Sequence, residues 1–157
     1  STMTWFTAER ESTAVVAADR SAIWEILTDP DAIARLTPML ERVEADGDHW
    51  VWHLETIEVL GHSVVPSFTE KMTFDDQTRI EFSHDPPSGE DERAGVEGRY
   101  DLADADGGTE LSIRLEISVD LPLPKMASAG VTAAMKGVLR TMGNGFAKRL
   151  DDELGIS

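Results

Sequence analysis

The chain has 157 residues, no cysteine, and 30 acidic against 14 basic side chains, a formal net charge of −16. This length suits one domain, 1-157, with a real core. The charge argues against nucleic acid, whose binding rests on neutralising phosphates, and against anionic membrane surfaces. The lack of cysteine excludes disulfides, thiolate catalysis and cysteine-ligated metal centres, and it fits a reducing cytoplasm. No apolar run reaches membrane-spanning length and no signal peptide opens the chain, so a cytoplasmic protein without membrane insertion is expected. Ser1 and Thr2, ahead of Met3, read as a remnant added to the natural start.

In chain order, Trp5 to Ala17 reads as a first strand. Asp19 is placed to cap a short helix whose buried stripe is Ile23, Trp24, Ile26 and Leu27. Asp29-Pro30 starts a second short helix, with Asp29 as cap and Pro30 at its first position. It carries Ile33 and Leu36 and stops before Pro38. Strand-like runs follow at 40–46, 49–60, 63–75, 78–84, 93–103 and 109–121. The breaks between them hold turn residues such as Asp46-Gly47-Asp48, Gly61, Asp75-Asp76 and Asp106-Gly107-Gly108. The last run is the most regular, with Leu111, Ile113, Leu115, Ile117, Val119 and Leu121 on one face.

Pro122 and Pro124 end the sheet. Lys125 to Leu154 then shows helical spacing at Val131, Met135, Val138, Met142, Phe146 and Leu150. A helix of about thirty residues is roughly 45 Å long, enough to cross a small sheet. Its glycines at 130, 137, 143 and 145 each cost up to about 1 kcal/mol relative to alanine. They point to close approach to the sheet, to a kink near Gly143-Asn144-Gly145, or to a helix that shifts to admit a ligand. One strand, two short helices, six strands and a long helix together give an α+β packing.

One polar residue stands among apolar ones. From Val64 to Phe74 the chain alternates, so Val64, Pro66, Phe68, Glu70, Met72 and Phe74 share a face. A carboxylate in the middle of a buried face is costly unless it is neutral, partnered or beside a wet cavity. The next strand presents Ile80, Phe82 and His84 on its apolar side. A hairpin around Asp76-Gln77 that matches both apolar faces puts position 70 opposite 84 or diagonal to it. Tyr100 shares the apolar parity of its strand with Val96 and Leu102. Glu70 as general base, His84 as proton donor and Tyr100 as carbonyl partner would suit cyclisation or dehydration of a poly-β-keto chain. The competing readings are ligand orientation by Glu70, and Glu70 and His84 simply satisfying each other as buried polar groups do.

The remaining signals are weaker. His53 lies between Trp52 and Leu54 with its facing unset, while His49 and His62 sit at turns. Trp50 and Trp52 share one face, read as packing. No metal-ligand spacing, nucleotide-binding glycine motif or nucleophile elbow occurs, so no metal and no cofactor is expected. There is no repeat and no linker.

The segment "VVAADRSAIWEILTDPDAIARLTP" resembles the N-terminal signature of the START-like superfamily, also called SRPBCC or Bet v 1-like. The stretch "GHSVVPSFTEKMTFDDQTRIEFSHDPPSG" is similar to the middle strands of its bacterial polyketide cyclase/dehydrase-like branch, and "MGNGFAKRLDDELG" to its helix ending. This resemblance implies a helix-grip fold. In it a curved seven-stranded antiparallel sheet wraps around the long C-terminal helix, two short helices follow strand 1, and an internal cavity remains. Superfamily cavities take lipids, sterols, polyketides or hormones, and no single catalytic motif runs through them, so function rests on the site's own residues.

The leading expectation is a binding protein for a hydrophobic, lipid- or polyketide-like small molecule. Its lining is read as Trp24, Phe68, Met72, Phe82, Met135, Val138 and Met142; methionines suit an irregular wall. The first alternative is a cyclase or dehydratase using Glu70, His84 and Tyr100. The second is a co-chaperone-like or toxin-like interaction protein with a collapsed cavity. The acidic surface favours a neutral or cationic ligand, and a monomer or homodimer is expected.

Overall fold

The computed structural model describes residues 3–156, so the reading of Ser1 and Thr2 lies outside it. The described residues form β1 (Thr4–Val16), α1 (Arg20–Leu27), α2 (Pro30–Leu36), β2 (Leu40–Asp46), β3 (His49–Leu54), β4 (Ile57–Val59) and β5 (His62–Val64). Then come β6 (Ser67–Asp75), β7 (Arg79–His84), β8 (Ala94–Ala105), β9 (Gly108–Leu121) and α3 (Ser128–Leu154), the last entered through a short 3-10 turn at Lys125–Ala127. Seven strands make one antiparallel sheet in the order β1-β9-β8-β7-β6-β3-β2. The α+β helix-grip architecture implied by the sequence is the one observed.

Two expected strands are broken. The run 49–60 splits into β3 and β4, and 63–75 splits into β5 and β6; β4 and β5 pair with each other outside the main sheet. Pro66 is the cause on one side, since it has no N–H to give a ladder; its carbonyl instead accepts from Leu54 N. On the other side, Glu55 N leaves the strand path to bond the carbonyl of Met39. Leu60 and Gly61 both take positive φ, 46° and 81°, as a two-residue hairpin turn demands.

The helix starts follow their sequence signals unevenly. Asp29 accepts a hydrogen bond from Asp31 N at 3.0 Å, with Pro30 opening α2. Asp19 occupies the cap position of α1 without a side-chain cap bond; its carbonyl alone takes the first helical amides. α2 stops at Leu36 because Thr37 precedes Pro38 and is driven to an extended conformation, ψ 116°. Within α1, Ile23 and Leu27 are fully buried, while Trp24 and Ile26 are half-buried at the edge of the core.

The meander keeps sequence neighbours adjacent, and α3 lies against the sheet's inner face. Val131, Met135, Leu139, Phe146 and Leu150 form its buried stripe. The helix runs unbroken through Gly143-Asn144-Gly145. Close approach explains Gly145, where a Cβ would come within 2.2 Å of Pro38 Cγ, whereas Gly137 faces open space.

Candidate functional site

Between the sheet and the C-terminal half of α3 lies a cavity of about 220 Å³. Its sheet wall is apolar and aromatic: Trp52, Phe68, Phe82, Val96 and Tyr100, continued by Leu111, Ile113, Leu115 and Ile117 of β9. Its helix wall is Leu139, Met142, Gly143, Phe146, Ala147 and Leu150. The rings are packed on one another. Trp52 stacks on Phe68 at a 12° interplanar angle, and Phe82 meets Tyr100 edge-on at 5.3 Å. Such a surface favours apolar contents over water, which needs several polar partners to stay.

Glu70 is the exception in that wall. It is fully buried and lines the cavity from β6. Its Oε2 accepts from Val96 N at 3.3 Å, and its Oε1 has no hydrogen-bond partner among the described residues. Burial pushes its pKa up to about 9, the bond from Val96 pulling the other way and the nearby Glu97 and Glu92 adding to the rise. At neutral pH the side chain is therefore a carboxylic acid and can donate a hydrogen bond. Trp52 Nε1, in the same cavity wall, is likewise buried and unpaired among the described residues.

The local backbone explains how an acid comes to sit there. The β7–β8 register ends at the pair Phe82 and Gly98. Beyond it the two strands part, and side chains take up the freed amides: Glu97 Oε2 accepts from His84 N at 2.6 Å, and Glu70 reaches Val96 N. His84 stands directly opposite Glu70 in register, with its ring lying on Gly95, where a Cβ would come within 2.5 Å. Its Nε2, however, is 2.8 Å from Glu92 Oε1. Glu92 also accepts from Thr69 N and Thr69 Oγ1, both at 2.7 Å. Burial alone would raise Glu92, but the Thr69 and His84 hydrogen bonds prevail and hold it below the usual carboxylate range.

Of the residues singled out from sequence, Glu70, Tyr100, Phe68, Phe82 and Met142 line the cavity. His84, Trp24, Met72, Met135 and Val138 are not among its lining. Met72 and Met135 are packed core, Val138 packs against that core, and Trp24 rests edge-on against Phe74 at 6.3 Å. Tyr100 is buried, which raises its hydroxyl to about 12 and keeps it protonated. His53 faces Ser67 and Glu44, and His49 bridges Asp48 and Asp85. Trp52, read as packing, is cavity wall. Arg10 and Ser12 of β1 also line it and were overlooked; the signal was their parity with Phe6 and Ala8, which face inward.

A family model described as polyketide cyclase / dehydrase and lipid transport matches residues 7–151. No curated protein matches the chain. Solved structures share the fold at low identity. A START superfamily protein from Mycobacterium smegmatis is 18% identical over 92% of this chain and 95% of that one, with a TM-score of 0.64. The Zhui aromatase/cyclase from Streptomyces sp. R1128 is 16% identical over 92% and 94%, at 0.61. The di-domain ARO/CYC StfQ from the steffimycin biosynthetic pathway is 13% identical, at 0.64; the match covers 96% of this chain and 53% of that one. With the family model spanning residues 7–151, almost its whole length, and this sheet gripping this helix, the chain belongs to the polyketide cyclase / dehydrase and lipid transport family.

Proposed function

We propose that the protein binds a hydrophobic, lipid- or polyketide-like small molecule in the cavity between sheet and α3, with Glu70 orienting it. The observation that carries this reading is Glu70 itself, an acid buried in an apolar wall with one oxygen unpaired. A buried polar group without a partner costs about 1–3 kcal/mol. A ligand carbonyl or hydroxyl that takes the Glu70 hydrogen bond would recover that cost. Trp52 Nε1 offers a second donor in the same cavity wall.

A second reading is favoured by the protonated state of Glu70 together with Tyr100 in the same wall. A neutral acid facing an apolar cavity can give its proton to a departing hydroxyl, and the resulting carboxylate can take one from the carbon next to a carbonyl. That is the chemistry of dehydration after ring closure. In this reading Tyr100 positions the carbonyl, and His84 acts only through Glu92.

Native mass spectrometry of the protein purified from its own host, beside Glu70→Gln, tests both. A bound molecule that is retained more weakly by the variant supports orientation. A different species trapped by the variant, one dehydration step earlier, supports catalysis. An empty cavity in both forms, with unchanged stability, would sink the binding reading.

A further inference from the structure

The cavity opens along the edge of the sheet. Ser12 and Ala14 sit on the inward parity of β1, yet both are exposed, as is Ala147 across from them on α3. β1 is an edge strand, so among the described residues no further strand closes this slot. At one end of the slot lies Arg10. Its Nη2 approaches Asn144 Oδ1 at 3.4 Å, and its guanidinium lies along Gly143, where a Cβ would come within 3.0 Å of Nε.

Seven of the ten arginines pair with carboxylates, for example Arg20 with Asp104 at 2.8 Å and Arg79 with Asp101 at 2.6 Å; of Arg10, Arg140 and Arg149, which do not, Arg10 alone lines the cavity. Arg10 has no carboxylate within ion-pair distance among the described residues, in a chain where acids outnumber bases by 30 to 14. A guanidinium is the side chain best shaped for bidentate recognition of a carboxylate. Asp151 lines the cavity eight residues further along α3, about 12 Å away at the helical rise. The slot therefore has ends of opposite charge, and the cation is the one seated on a glycine beside a side-chain amide.

Resting on the cavity-binding reading, we infer that the ligand is a carboxylate-headed apolar chain, its head held at the slot by Arg10 and Asn144 and its chain running inward. The register supports the direction. Arg10 pairs with Leu115, Leu115 with Gly98, Gly98 with Phe82, and Phe82 with Met72, the next inward position after Glu70 on β6. Four strand spacings make about 19 Å along the curve of the sheet. An extended chain anchored at Arg10 thus places its far half near the Glu70 acid, which suits a second oxygen on that half. A carboxylate head departs from the neutral or cationic ligand expected from net charge, because it answers to the local charge at the opening instead.

Titration calorimetry with decanoate, 1-decanol and decylamine near neutral pH tests this on the wild type, Arg10→Gln and Arg10→Lys. Decanoate should bind about tenfold tighter than decanol. Arg10→Gln should erase that advantage by weakening decanoate far more than decanol, and Arg10→Lys should restore part of it. Equal binding of decanoate and decanol, or an advantage that survives in Arg10→Gln, overturns the head assignment and leaves the cavity reading intact. A preference for decylamine overturns it in favour of Asp151. Failure of all three to bind removes the cavity reading and this inference together.

Discussion

Glu70 and His84 stand opposite each other in the β6–β7 register, but the imidazole is hydrogen-bonded to Glu92 at 2.8 Å, and no cation among the described residues pairs with Glu70. With no positive partner, desolvation dominates Glu70 and the neutral acid is the favoured form. Cross-strand pairing set which residues meet; the loop that carries Glu92 decided which of them share a proton.

The pH dependence of stability follows from that acid. The folded state holds the Glu70 proton up to about pH 9, while the unfolded chain releases it near the ordinary value of 4.5. Between these limits the native state binds one more proton, so this group's contribution to stability falls as pH rises, by at most about 1.4 kcal/mol per pH unit. Urea unfolding across this window should show the wild type losing stability relative to Glu70→Gln as pH increases. A constant difference between the two would refute a raised Glu70.

Glu92 ties the loop between β7 and β8 to β6. Glu92→Ala leaves Thr69 N without its partner and should cost about 1–3 kcal/mol in chemical denaturation. Amide exchange at Thr69 should rise more than at Met72, whose N bonds Asp48 O elsewhere. Because Glu92 is held below its usual pKa, its stabilisation should be lost as pH falls through the acid range, opposite in sign to Glu70.

Two helix glycines should respond in opposite directions. Gly137→Ala meets no atom within 4 Å and should stabilise α3 by up to about 1 kcal/mol through propensity alone. Gly145→Ala runs into Pro38 and should be net destabilising by about 1–3 kcal/mol. Thermal melts of the pair check both signs.

Ala147 is an exposed helical residue at the slot. Ala147→Trp should block entry and abolish retention of any co-purifying molecule, with the melting temperature nearly unchanged. Retention of that molecule at wild-type levels would place the entrance elsewhere.

The element order, the α+β class and the inward faces of β6 to β9 were legible because strand and helix periodicities report which side of a local element is buried. Matching two such faces put position 70 opposite 84 or diagonal to it, and the assembled sheet sets them opposite. Even the division of 63–75 had its mark in Pro66, whereas that of 49–60, where Glu55 N turns to the Met39 carbonyl, had none. What the sequence could not supply was which inward positions face a void and which are packed. Phe68 and Met72 share a strand and a face, yet one lines the cavity and the other does not. That difference depends on where the curved sheet parts from α3, a property of the assembled layers. The bond from His84 to Glu92 and the seating of Arg10 on Gly143 are likewise contacts between residues 8 and 133 positions apart, one across a loop and the other between a sheet edge and a helix. Local periodicity determined the faces; only the packing of those faces against one another decided the cavity, its opening and the charge at its rim.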